Sequence, residues 1–598
     1  MRSRDRLKLL LIDAILVLAG IYGAIVVRFA NIQLDMKWVN EPRTLAYLAL
    51  EALILTLYYQ AGLYNRLPRY SGLQEAILIV TRTTLAVVPF MLVALLSGGA
   101  WLARSIIGLA WFLVIGMVGG TRAILRILSE RKSLAGGPLR RVVIVGANDA
   151  GENTERELSR SQGYDVIGFV DPDPDKQGMT IRGTPIMGTL RELPSLVASR
   201  TVDEIVVTEN RPALIQDIVS NCDLSKTALR VIPSVVSLMD GRIRVQLIRD
   251  VRIEDLLERE PIQLDMTALR SVVAGQTVMV TGAGGSIGSE ICRQLAQLEP
   301  ARLVLVGRGE NSIYEVSLEL KDVPYVPVIA DIRDAIRMRK IFEKYRPRLV
   351  FHAAAHKHVP LMEANVTEAV SVNVLGTWLL MDLAHQLGVE RFVLLSTDKA
   401  ASPTSMMGAS KRMAELLLRH RAQDSATRFT AVRFGNVLGS RGSVVPTFRR
   451  QIAEGGPVTI THPDMTRFFM TIPEAVQLVL QAATLAQGGE IYILDMGKPV
   501  RIVDLARNLI RLSGFEPDRD IIIKIDTTPR PGEKLTEELL NPNESSQPTR
   551  IAKLLGVQSA EPAPGAVVSE WLTQFETAVR NDDSQTLRSL LLEFTQLG

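Results

Sequence analysis

The sequence of 598 residues predicts an α-helical transmembrane bundle followed by two α/β units, each a Rossmann-like doubly wound parallel sheet. Three observations support this fold class. Four apolar stretches of membrane-spanning length lie within the first 126 residues. Short apolar runs then alternate with helical patterns, and a glycine-rich turn at 281–288 lies between a predicted strand and a predicted helix. The predicted boundaries are 1–130 for the bundle, 140–250 for the first α/β unit, 251–272 for a connector and 273–598 for the second unit.

The N-terminal region contains four candidate membrane spans, at about 9–27, 44–63, 76–96 and 105–125. Each has about the 20 residues that a helix needs to cross a bilayer. A buried helical bundle in a soluble protein is the alternative, and four consecutive stretches of this length argue against it. Lysine and arginine are concentrated before the first span, between the second and the third, and after the fourth. This distribution predicts a multi-pass arrangement in the lipid bilayer with both termini cytoplasmic.

The charge and the cysteine content argue against two classes of function. The net charge is only +4, and no basic block is interleaved with aromatic residues. Nucleic-acid binding is therefore not indicated. The two cysteines, Cys222 and Cys292, lie in separate predicted units. They indicate neither a disulfide framework nor a thiolate metal site.

Residues 140–250 begin with a strand and a turn in which Gly146 and Gly151 bracket a degenerate nucleotide-binding motif. One interpretation is a second nucleotide or effector site. The other is a Rossmann-like fold that binds nothing and spaces the rest of the chain from the membrane. Because the turn lacks the full set of glycines, the second interpretation is slightly favoured.

The second α/β unit opens with a strand and the pattern TGxxGxxG, in which the glycines are Gly282, Gly285 and Gly288. Glycines at this spacing let the backbone turn tightly and approach a pyrophosphate. The helix that follows, with Ser286 and Ile287 in its first turn, offers N–H groups and a positive dipole end to an anion. We therefore predict a dinucleotide site at this turn.

Charged residues follow the next two strands of this unit. Glu310 comes about 20 residues after the glycines, where an acidic residue binds the adenosine ribose hydroxyls and favours NAD over NADP. Arg308 nearby weakens that preference. Asp331 and Ile332 follow the third strand and are placed to bracket an adenine. The alternative is that Asp331 or Asp334 caps a helix.

The segment 351–358, FHAAAHKH, holds three of the six histidines. A metal site is one interpretation, since imidazoles are common ligands. It is not favoured, because His352 ends a predicted strand and two small residues, Ala353 and Ala355, follow where the backbone can press against a cofactor. We therefore predict that the protein binds no metal.

The segment 395–412, LSTDKAASPTSMMGASKR, completes a set of motifs that is specific when taken together. The other motifs are TGAGGSIGSE at 281–290, HAAAHKHVPLME at 352–363, NVLGT at 373–377, RFGNVLGSRGSVVP at 433–446, TRFFMTI at 466–472 and RPGEK at 530–534. On these motifs the chain resembles the membrane-anchored nucleotide-sugar 4,6-dehydratases. These are the CapD-like polysaccharide biosynthesis proteins of the extended short-chain dehydrogenase/reductase superfamily. The resemblance covers essentially the whole chain. After Gly435 the pattern of strands and helices becomes less regular, as expected of a smaller substrate-binding lobe.

One departure from the superfamily pattern concerns the pair Met407 and Lys411. Short-chain dehydrogenases usually carry Tyr-x-x-x-Lys, with both side chains on one face of a helix. Methionine cannot ionise, so no tyrosinate base is available here. Members of the dehydratase subfamily resemble this sequence in having that methionine. The neighbouring residues Asp398 and Lys399 argue against an inactive site.

The resemblance implies a dehydration that is internally redox-neutral and uses tightly bound NAD. Lys399 is expected to remove the C5 proton of the sugar, and Asp398 to protonate the departing C6 hydroxyl. Thr397 is expected to hydrogen-bond the C4 hydroxyl, and Lys411 to bind the nicotinamide ribose. Lys399 must then be neutral and Asp398 protonated, and a direct ion pair between them opposes both. The alternative for Asp398 and Lys399 is a solvated surface pair.

The site residues that the resemblance implies fall into three groups. The catalytic group is Thr397, Asp398, Lys399, Met407 and Lys411. The NAD contacts are Gly282, Gly285, Ser286, Ile287, Gly288, Arg308, Glu310, Asp331, Ile332, Ala353, Ala355, Lys357, Asn373 and Lys411. The substrate contacts are Lys357, Thr397, Asn436, Arg467, Arg530 and Glu533. Arginine suits the diphosphate of the nucleotide through its planar fork.

The predicted function is an NAD-dependent UDP-N-acetylglucosamine 4,6-dehydratase for surface polysaccharide or glycoprotein glycan synthesis. It is expected in the bacterial inner membrane, with its α/β units cytoplasmic and a homo-oligomer formed through the catalytic domain. One rival is a nucleotide-sugar 4-epimerase, against which the pair Asp398 and Lys399 argues, because epimerisation needs no C6 elimination. Another is a non-catalytic membrane scaffold for glycan assembly, supported only by Met407. The sugar's identity and the C5 configuration of the product stay open.

Overall fold

The computed structural model describes residues 3–29, 41–65, 73–97, 102–133, 139–161, 163–199, 202–232, 248–256, 265–321, 323–526, 530–558 and 565–596. These residues pack into two compact units, one with the four N-terminal helices and the other with most of both sheets. Of the predicted connector 251–272, residues 257–264 lie outside the described part.

The N-terminal unit consists of helices α1 (Ser3–Phe29), α2 (Glu41–Gln60), α3 (Leu73–Leu96) and α4 (Arg104–Ser133). Within α1, α3 and α4, three segments are long and apolar enough to cross a membrane: Leu9–Arg28, Glu75–Leu96 and Arg104–Ile124. They coincide with three of the four predicted spans. The helix at the second predicted span, α2, has 20 residues but is less apolar, since it includes Arg43 and Glu51.

The first α/β unit is built on a seven-stranded sheet with the order β3-β4-β2-β1-β5-β6-β7. Its strands are β1 (Arg140–Val145), β2 (Tyr164–Val170), β3 (Thr180–Ile181), β4 (Thr184–Gly188), β5 (Glu204–Val207), β6 (Ala228–Val231) and β7 (Arg249–Asp250). Its helices are α5 (Asp149–Arg160), α6 (Leu193–Ser199) and α7 (Pro212–Asn221). The pairs β1–β5, β5–β6 and β2–β4 are parallel, and the edge strands β3 and β7 are antiparallel to their neighbours.

The second unit is built on a nine-stranded sheet with the order β10-β9-β8-β11-β12-β13-β18-β22-β21. These strands are β8 (Thr277–Thr281), β9 (Arg302–Gly307), β10 (Tyr325–Ile329), β11 (Leu349–His352), β12 (Arg391–Leu395), β13 (Arg428–Arg433), β18 (Glu490–Leu494), β21 (Ser545–Pro548) and β22 (Leu554–Gln558). All pairs up to β18 are parallel, and β22 and β21 run antiparallel. The strand order reverses between β8 and β11, which is where doubly wound sheets bind their ligands. The predicted fold class is confirmed.

The helices around this sheet are α8 (Met266–Val273), α9 (Ser286–Ala296), α10 (Glu310–Glu319), α11 (Ala335–Tyr345), α12 (Val359–Ala364), α13 (Val366–Val370), α14 (Thr377–Gln386), α15 (Met406–Gln423) and α17 (Ile472–Leu485). A π-helical turn, Ser371–Gly376, joins α13 to α14. The continuous helical stretch Val366–Gln386 is long and apolar enough to cross a membrane by composition, but 61% of it is buried in this unit. We therefore assign it to the core of the fold.

Short strand pairs and two helices form a lobe beside the carboxyl ends of the large sheet. The strands are β14 (Asn436–Val437), β15 (Val458–Ile460), β16 (Thr466–Arg467), β17 (Phe469–Met470), β19 (Val500–Arg501) and β20 (Ile523–Ile525), and the helices are α16 (Val444–Ala453) and α18 (Ile502–Leu512). Helix α7 of the first sheet contacts α18 of this lobe. Ile215 and Val219 of α7 belong to the same buried apolar cluster as Phe448 and Leu509 of the lobe. The first α/β unit and the lobe therefore share one core.

The C-terminal helices α19 (Gly565–Arg580) and α20 (Ser584–Gln596) pack on α15. Phe575, Leu587 and Leu591 are fully buried in the core of the second unit. Trp571 and Phe594 stack with ring centroids 4.6 Å apart. The face of α15 that these helices cover is therefore closed to a second subunit, and the predicted homo-oligomer, which stays a prediction, would need another surface.

Candidate active site

The glycine turn after β8 is shaped by two close approaches of the backbone. Gly282 has φ +69°, and a Cβ there would lie 2.6 Å from the amide nitrogen of Ala354. A Cβ on Gly288 would collide with the carbonyl oxygen of Gly282. Gly285 is the N-cap of α9, and the first N–H groups of a helix have no intrahelical acceptor. The turn therefore leaves the helix N-terminus open to an anion, as an unhindered dinucleotide cradle requires.

A cavity of about 660 Å³ extends from this turn to the lobe. Predicted site residues that line it are Gly285, Ser286, Ile287, Gly288, Ala353, Ala355, Lys357, Thr397, Lys399, Met407, Lys411, Asn436, Arg467, Arg530 and Glu533. Residues of the predicted set outside its lining are Gly282, Arg308, Glu310, Asp331, Ile332, Asn373 and Asp398. The structure thus brings the glycine turn and most residues expected to touch the sugar and diphosphate into one space, while the fully buried Asp398 lies directly behind Thr397 and Lys399.

The residues predicted to bracket an adenine lie beyond this cavity. Asp331 accepts hydrogen bonds from the Arg333 guanidinium at 3.0 and 2.8 Å. These bonds, with the charge of Arg308 at 3.8 Å, lower the pKa of Asp331 to about 2. The helix cap is provided by Asp334, which accepts from the backbone N–H of Arg337 at 2.9 Å, and not by Asp331. Of the two residues proposed for a cap, the structure therefore selects Asp334.

Two other predicted cofactor residues have different surroundings. Glu310 is exposed in the first turn of α10. Ile332 is buried, and a Cβ on Gly376 would lie 3.0 Å from its Cδ1. The contacts of Glu310 and Ile332 with NAD stay predictions.

Asn373 is fully buried behind the cavity in the π-helical turn. Its Oδ1 accepts from the backbone N–H of His356 at 2.9 Å, and its Nδ2 donates to the His356 carbonyl and to the Ser410 hydroxyl, both at 3.0 Å. Through these hydrogen bonds Asn373 connects helix α15 to the loop that contains Ala355 and His356. In this arrangement it positions cavity-lining residues.

The segment Thr397–Lys399 follows β12 and forms a connected set of polar groups. The Asp398 carboxylate accepts at Oδ1 from the Thr397 hydroxyl and from the Lys399 ammonium, both at 2.9 Å. Asp398 is 0% exposed, and only 20% of the Lys399 side chain is accessible. These values exclude the solvated surface pair. They also show the direct ion pair that opposes a neutral Lys399 and a protonated Asp398.

Helix α15 carries the pair at the positions of the usual Tyr-x-x-x-Lys. Ser405 caps the helix by accepting from the N–H of Gly408 at 3.0 Å. Lys411 is buried, donates to the carbonyl oxygen of Leu395 at 2.7 Å, and lines the cavity. Burial lowers its pKa to about 8, and the charge of Glu415 opposes that shift. Met407, one turn earlier, packs in a small apolar cluster that also includes Val359.

At the lobe end of the cavity, Arg467 donates to the carbonyl oxygens of Thr466 at 2.7 Å and Leu535 at 3.0 Å. Its guanidinium also lies 3.7 Å from a carboxylate that the sequence patterns missed, that of Glu537. Glu537 is 5% exposed, and its Oε1 lies 3.7 Å from the Lys399 Nζ. In the sequence, the one signal for Glu537 is that it follows the RPGEK segment, 530–534, by three residues.

The histidine-rich segment does not gather ligands around a metal. Among the described residues, no group of three or more His, Cys, Asp or Glu side chains could hold a metal ion. Both ring nitrogens of His352 are engaged, Nδ1 at 2.7 Å from the Thr281 hydroxyl and Nε2 at 2.9 Å from that of Thr377. Burial, with the nearby charge of Lys411, lowers the pKa of His352 to about 3. His352 is therefore a neutral core residue near neutral pH.

In the first α/β unit, the turn that Gly146 and Gly151 bracket is occupied by the protein itself. The backbone N–H of Ala147 donates to the Asp171 carboxylate at 2.6 Å. Lys176 lies 3.2 Å from both oxygens of that carboxylate. An anionic side chain thus takes a backbone amide of the turn that a phosphate would use. This geometry favours the interpretation without a bound nucleotide, which stays untested.

Comparison with known proteins identifies the family. A family model described as polysaccharide biosynthesis protein matches residues 278–559, and one described as CoA-binding domain matches 60–233. The chain is 44% identical to the capsular polysaccharide biosynthesis protein CapD of Staphylococcus aureus, over 81% of this chain and 83% of that protein. It is 42% identical to the probable polysaccharide biosynthesis protein EpsC of Bacillus subtilis, over 82% and 84%.

Some relatives that match a smaller share of the chain carry names of enzymes. A UDP-N-acetylglucosamine 4,6-dehydratase (inverting) of Campylobacter jejuni is 34% identical over 45% of this chain and 79% of its own length. The similarity to CapD covers more than two thirds of both chains. The chain belongs to the CapD- and EpsC-like polysaccharide biosynthesis proteins, which are related to the nucleotide-sugar 4,6-dehydratases and epimerases of the extended short-chain dehydrogenase/reductase superfamily.

Proposed function

We propose that the protein is a UDP-N-acetylglucosamine 4,6-dehydratase that forms a UDP-4-keto-6-deoxy sugar with bound NAD. The observation that carries this proposal is the connected set Thr397, Asp398 and Lys399 at the end of β12, beside the cavity of the glycine turn. An elimination across C5 and C6 needs a base and an acid close together, and this pair supplies both. The name of the Campylobacter relatives supports the same substrate.

The residues present fit NAD. Gly282 and Gly288 keep the turn free of side chains, and the start of α9 at Ser286 offers N–H groups to the pyrophosphate. Ala353 lines the cavity without a bulky side chain. Lys411 also lines it, and its proposed role is to hold the nicotinamide ribose. When bound, NAD supplies a hydride acceptor for C4 of the sugar and a hydride donor for C6. The other step is the loss of the C5 proton and the C6 hydroxyl as water, for which the protein supplies the base and the acid.

The contact between Thr397 and Asp398 supplies a route for the C4 hydroxyl proton where no tyrosine is available. The Thr397 hydroxyl donates to Asp398 Oδ1 at 2.9 Å. A proton that passes from the C4 hydroxyl to the Thr397 oxygen can therefore leave by the opposite side to Asp398. Asp398 becomes the protonated acid that the C6 hydroxyl needs in order to depart as water. Lys399, in its neutral form, takes the C5 proton and later donates one of its ammonium protons, which exchange with solvent, to C5.

The nucleotide is assigned to the lobe end of the cavity. Arg467 and Arg530 line that end together with Glu533 and Asn436. Two guanidinium groups match a diphosphate in charge and geometry. Lys357 also lines the cavity, 3.4 Å from the Ser440 hydroxyl, and burial lowers its pKa. We propose Lys357 as a further contact to the sugar or the cofactor.

A 4-epimerase is the second candidate. A UDP-glucose 4-epimerase of Rickettsia rickettsii is 34% identical over 36% of this chain and 65% of its own length. Epimerisation at C4 leaves C5 and C6 untouched, so it gives no role to the pair Asp398 and Lys399. We therefore prefer the dehydratase. We further propose that the N-terminal helices anchor the enzyme in the bacterial inner membrane with the cavity on the cytoplasmic side.

A single NMR experiment tests the proposal. The full-length protein in detergent is incubated with UDP-N-acetylglucosamine and NAD+ in deuterated water. A new C6 methyl signal with deuterium at C5 is expected, and the ring couplings report the C5 configuration. Lys399→Met is expected to abolish the signal, whereas the exposed control Lys498→Met keeps it. Formation of the C4 epimer alone would support the epimerase, and NAD binding without turnover would support the scaffold.

A further inference from the structure

The carboxylate of Glu537 lies between two cations at the wall of the cavity. Its Oε1 is 3.7 Å from the Lys399 Nζ and 3.7 Å from the guanidinium of Arg467. On its other side, Lys399 contacts Asp398 at 2.9 Å and the Asn436 side-chain oxygen at 3.4 Å. Lys399 thus lies near a second carboxylate, that of Glu537, which belongs to none of the sequence motifs.

The dehydration raises a proton problem at Lys399. Lys399 is an ammonium in its ion pair with Asp398, yet it must be neutral to take the C5 proton. Asp398 cannot receive the ammonium proton, because it must hold the proton that arrives from the C4 hydroxyl through Thr397. The Asn436 amide is not a base. Among the described side chains that contact Lys399, only Glu537 remains as an acceptor.

We propose that Glu537 is a positioning residue that acts through Lys399. It accepts the ammonium proton of Lys399 before Lys399 removes the C5 proton of the sugar, and it returns that proton after turnover. This inference rests on the proposed dehydratase function and extends it by a third acid–base group. Glu537 itself touches no reacting atom of the sugar in this scheme.

The proton count closes with these three groups. At the start one proton resides on Lys399, while Asp398 and Glu537 are carboxylates. The C4 hydroxyl proton passes through Thr397 to Asp398, and an N–H bond of Lys399 breaks as an O–H bond forms on Glu537. Lys399 then takes the C5 proton while Asp398 gives its proton to the departing C6 hydroxyl. After Lys399 has returned its proton to C5, the proton on Glu537 moves back to Lys399.

Substrate binding supplies a reason for the transfer to occur at the right moment. In the sugar-free protein the Arg467 guanidinium lies 3.7 Å from the Glu537 carboxylate. Arg467 is also a proposed ligand of the diphosphate. A bound diphosphate claims the guanidinium and excludes water from the cavity, and a buried ammonium–carboxylate pair then favours its neutral form. Other ionisable groups that line the cavity are His356, Lys357, His358, Lys411, Arg441, Arg530 and Glu533.

The test is the pH dependence of kcat for Glu537→Gln, which keeps the shape of the side chain but cannot take a proton. At pH 7 we expect a loss of about 100-fold, the size typical of one acid–base group. Without Glu537 the Lys399 proton must be lost to water, so kcat of the variant should rise about tenfold per pH unit between 7 and 9. Glu537→Asp should recover part of the activity. The exposed neighbour Glu538 provides the control Glu538→Gln, expected to match the wild type.

The outcomes separate this inference from the proposed function. If the wild type forms no 4-keto-6-deoxy sugar, the dehydratase itself is wrong. If the wild type is active and Glu537→Gln has the same kcat at all pH values, or a loss that is equal at all pH values, the proton-accepting role is wrong. A loss that shrinks as the pH rises, together with partial recovery in Glu537→Asp, supports it.

Discussion

Arg433 and Glu415 form a two-pronged ion pair in the core, with Nε–Oε1 at 2.8 Å and Nη2–Oε2 at 2.6 Å, and both side chains are 0% exposed. The pair joins the last residue of β13 to α15, the helix that carries Met407 and Lys411. Glu415 also accepts from the Ser396 hydroxyl at 2.6 Å, directly before Thr397. Burial alone would raise the pKa of Glu415, but the charge and hydrogen bonds of Arg433 hold it below the usual value.

Breaking this pair on one side is expected to cost about 3 to 5 kcal/mol of unfolding free energy, because Glu415→Gln leaves the buried guanidinium groups of Arg433 and Arg412 with Glu544 as their one shared carboxylate. The double variant Arg433→Met/Glu415→Leu should cost less than Glu415→Gln. It removes both charges and leaves the neighbouring pair Arg412–Glu544, at 2.8 Å, intact. Denaturation of the purified protein measures both. Equal losses in the two variants would contradict this account.

The fold was predictable because each parallel strand is a short apolar run bounded by turn residues. Such runs at 277–281 and 349–352 form β8 and β11. The glycine turn and the Thr397–Lys399 segment were predictable for a related reason, since their chemistry lies within a few consecutive residues.

What the sequence left open depends on contacts between distant segments. Glu537 approaches Lys399, and Glu544 approaches Arg433, only after more than a hundred residues have folded between them. No local spacing encodes such a contact. The pairing of Asp331 with Arg333 is local, but the pattern around it fits an adenine contact equally well. The packing of α20 on α15 is likewise a contact between segments that are distant in the sequence.

Lys411 predicts a pH dependence of stability. Burial places its pKa at about 8, below the value of 10.5 for the unfolded chain. Between these values the unfolded chain binds a proton that the folded chain lacks, so stability rises with pH there. Below about pH 8 Lys411 is charged in both states, and the burial of that charge lowers the unfolding free energy by about 3 kcal/mol, at roughly 1.4 kcal/mol per unit of pKa shift. Lys411→Met removes that cost and leaves the packing of a long side chain.

The difference in unfolding free energy between Lys411→Met and wild type should therefore favour the variant most at pH 7. It should shrink by about 3 kcal/mol as the pH is raised towards 10.5. Groups common to both proteins cancel in this difference. The exposed Lys498→Met gives a baseline that should not change with pH. A Lys411 difference as flat as this baseline would mean that the buried amine does not titrate in this range.

Met407 is expected to contribute packing and no acid–base chemistry. Its side chain is 3% exposed and belongs to the cluster of Val359, Met362 and Ala369. Met407→Leu conserves volume and should keep kcat within about threefold. Met407→Ala should lower the unfolding free energy by about 2 to 4 kcal/mol through the cavity it leaves. Product formation by NMR and thermal unfolding measure the two effects, and a loss above 100-fold in Met407→Leu would assign the sulfur a chemical role.

In the N-terminal unit, Asp13 of α1 and Arg122 of α4 form a similar buried pair, with Nη1–Oδ1 at 3.0 Å and Nη2–Oδ2 at 2.7 Å. An unpaired charge among apolar helices is costly, so each single variant, Asp13→Asn and Arg122→Gln, should lower the thermal midpoint in detergent. Asp13→Asn leaves the buried Arg122 guanidinium without its carboxylate. The double variant Asp13→Asn/Arg122→Gln removes both charges of the pair and should therefore be more stable than Asp13→Asn. The coupling in this cycle should be about 1 to 3 kcal/mol. Strict additivity of the two single effects would show that the pair does not hold α1 against α4.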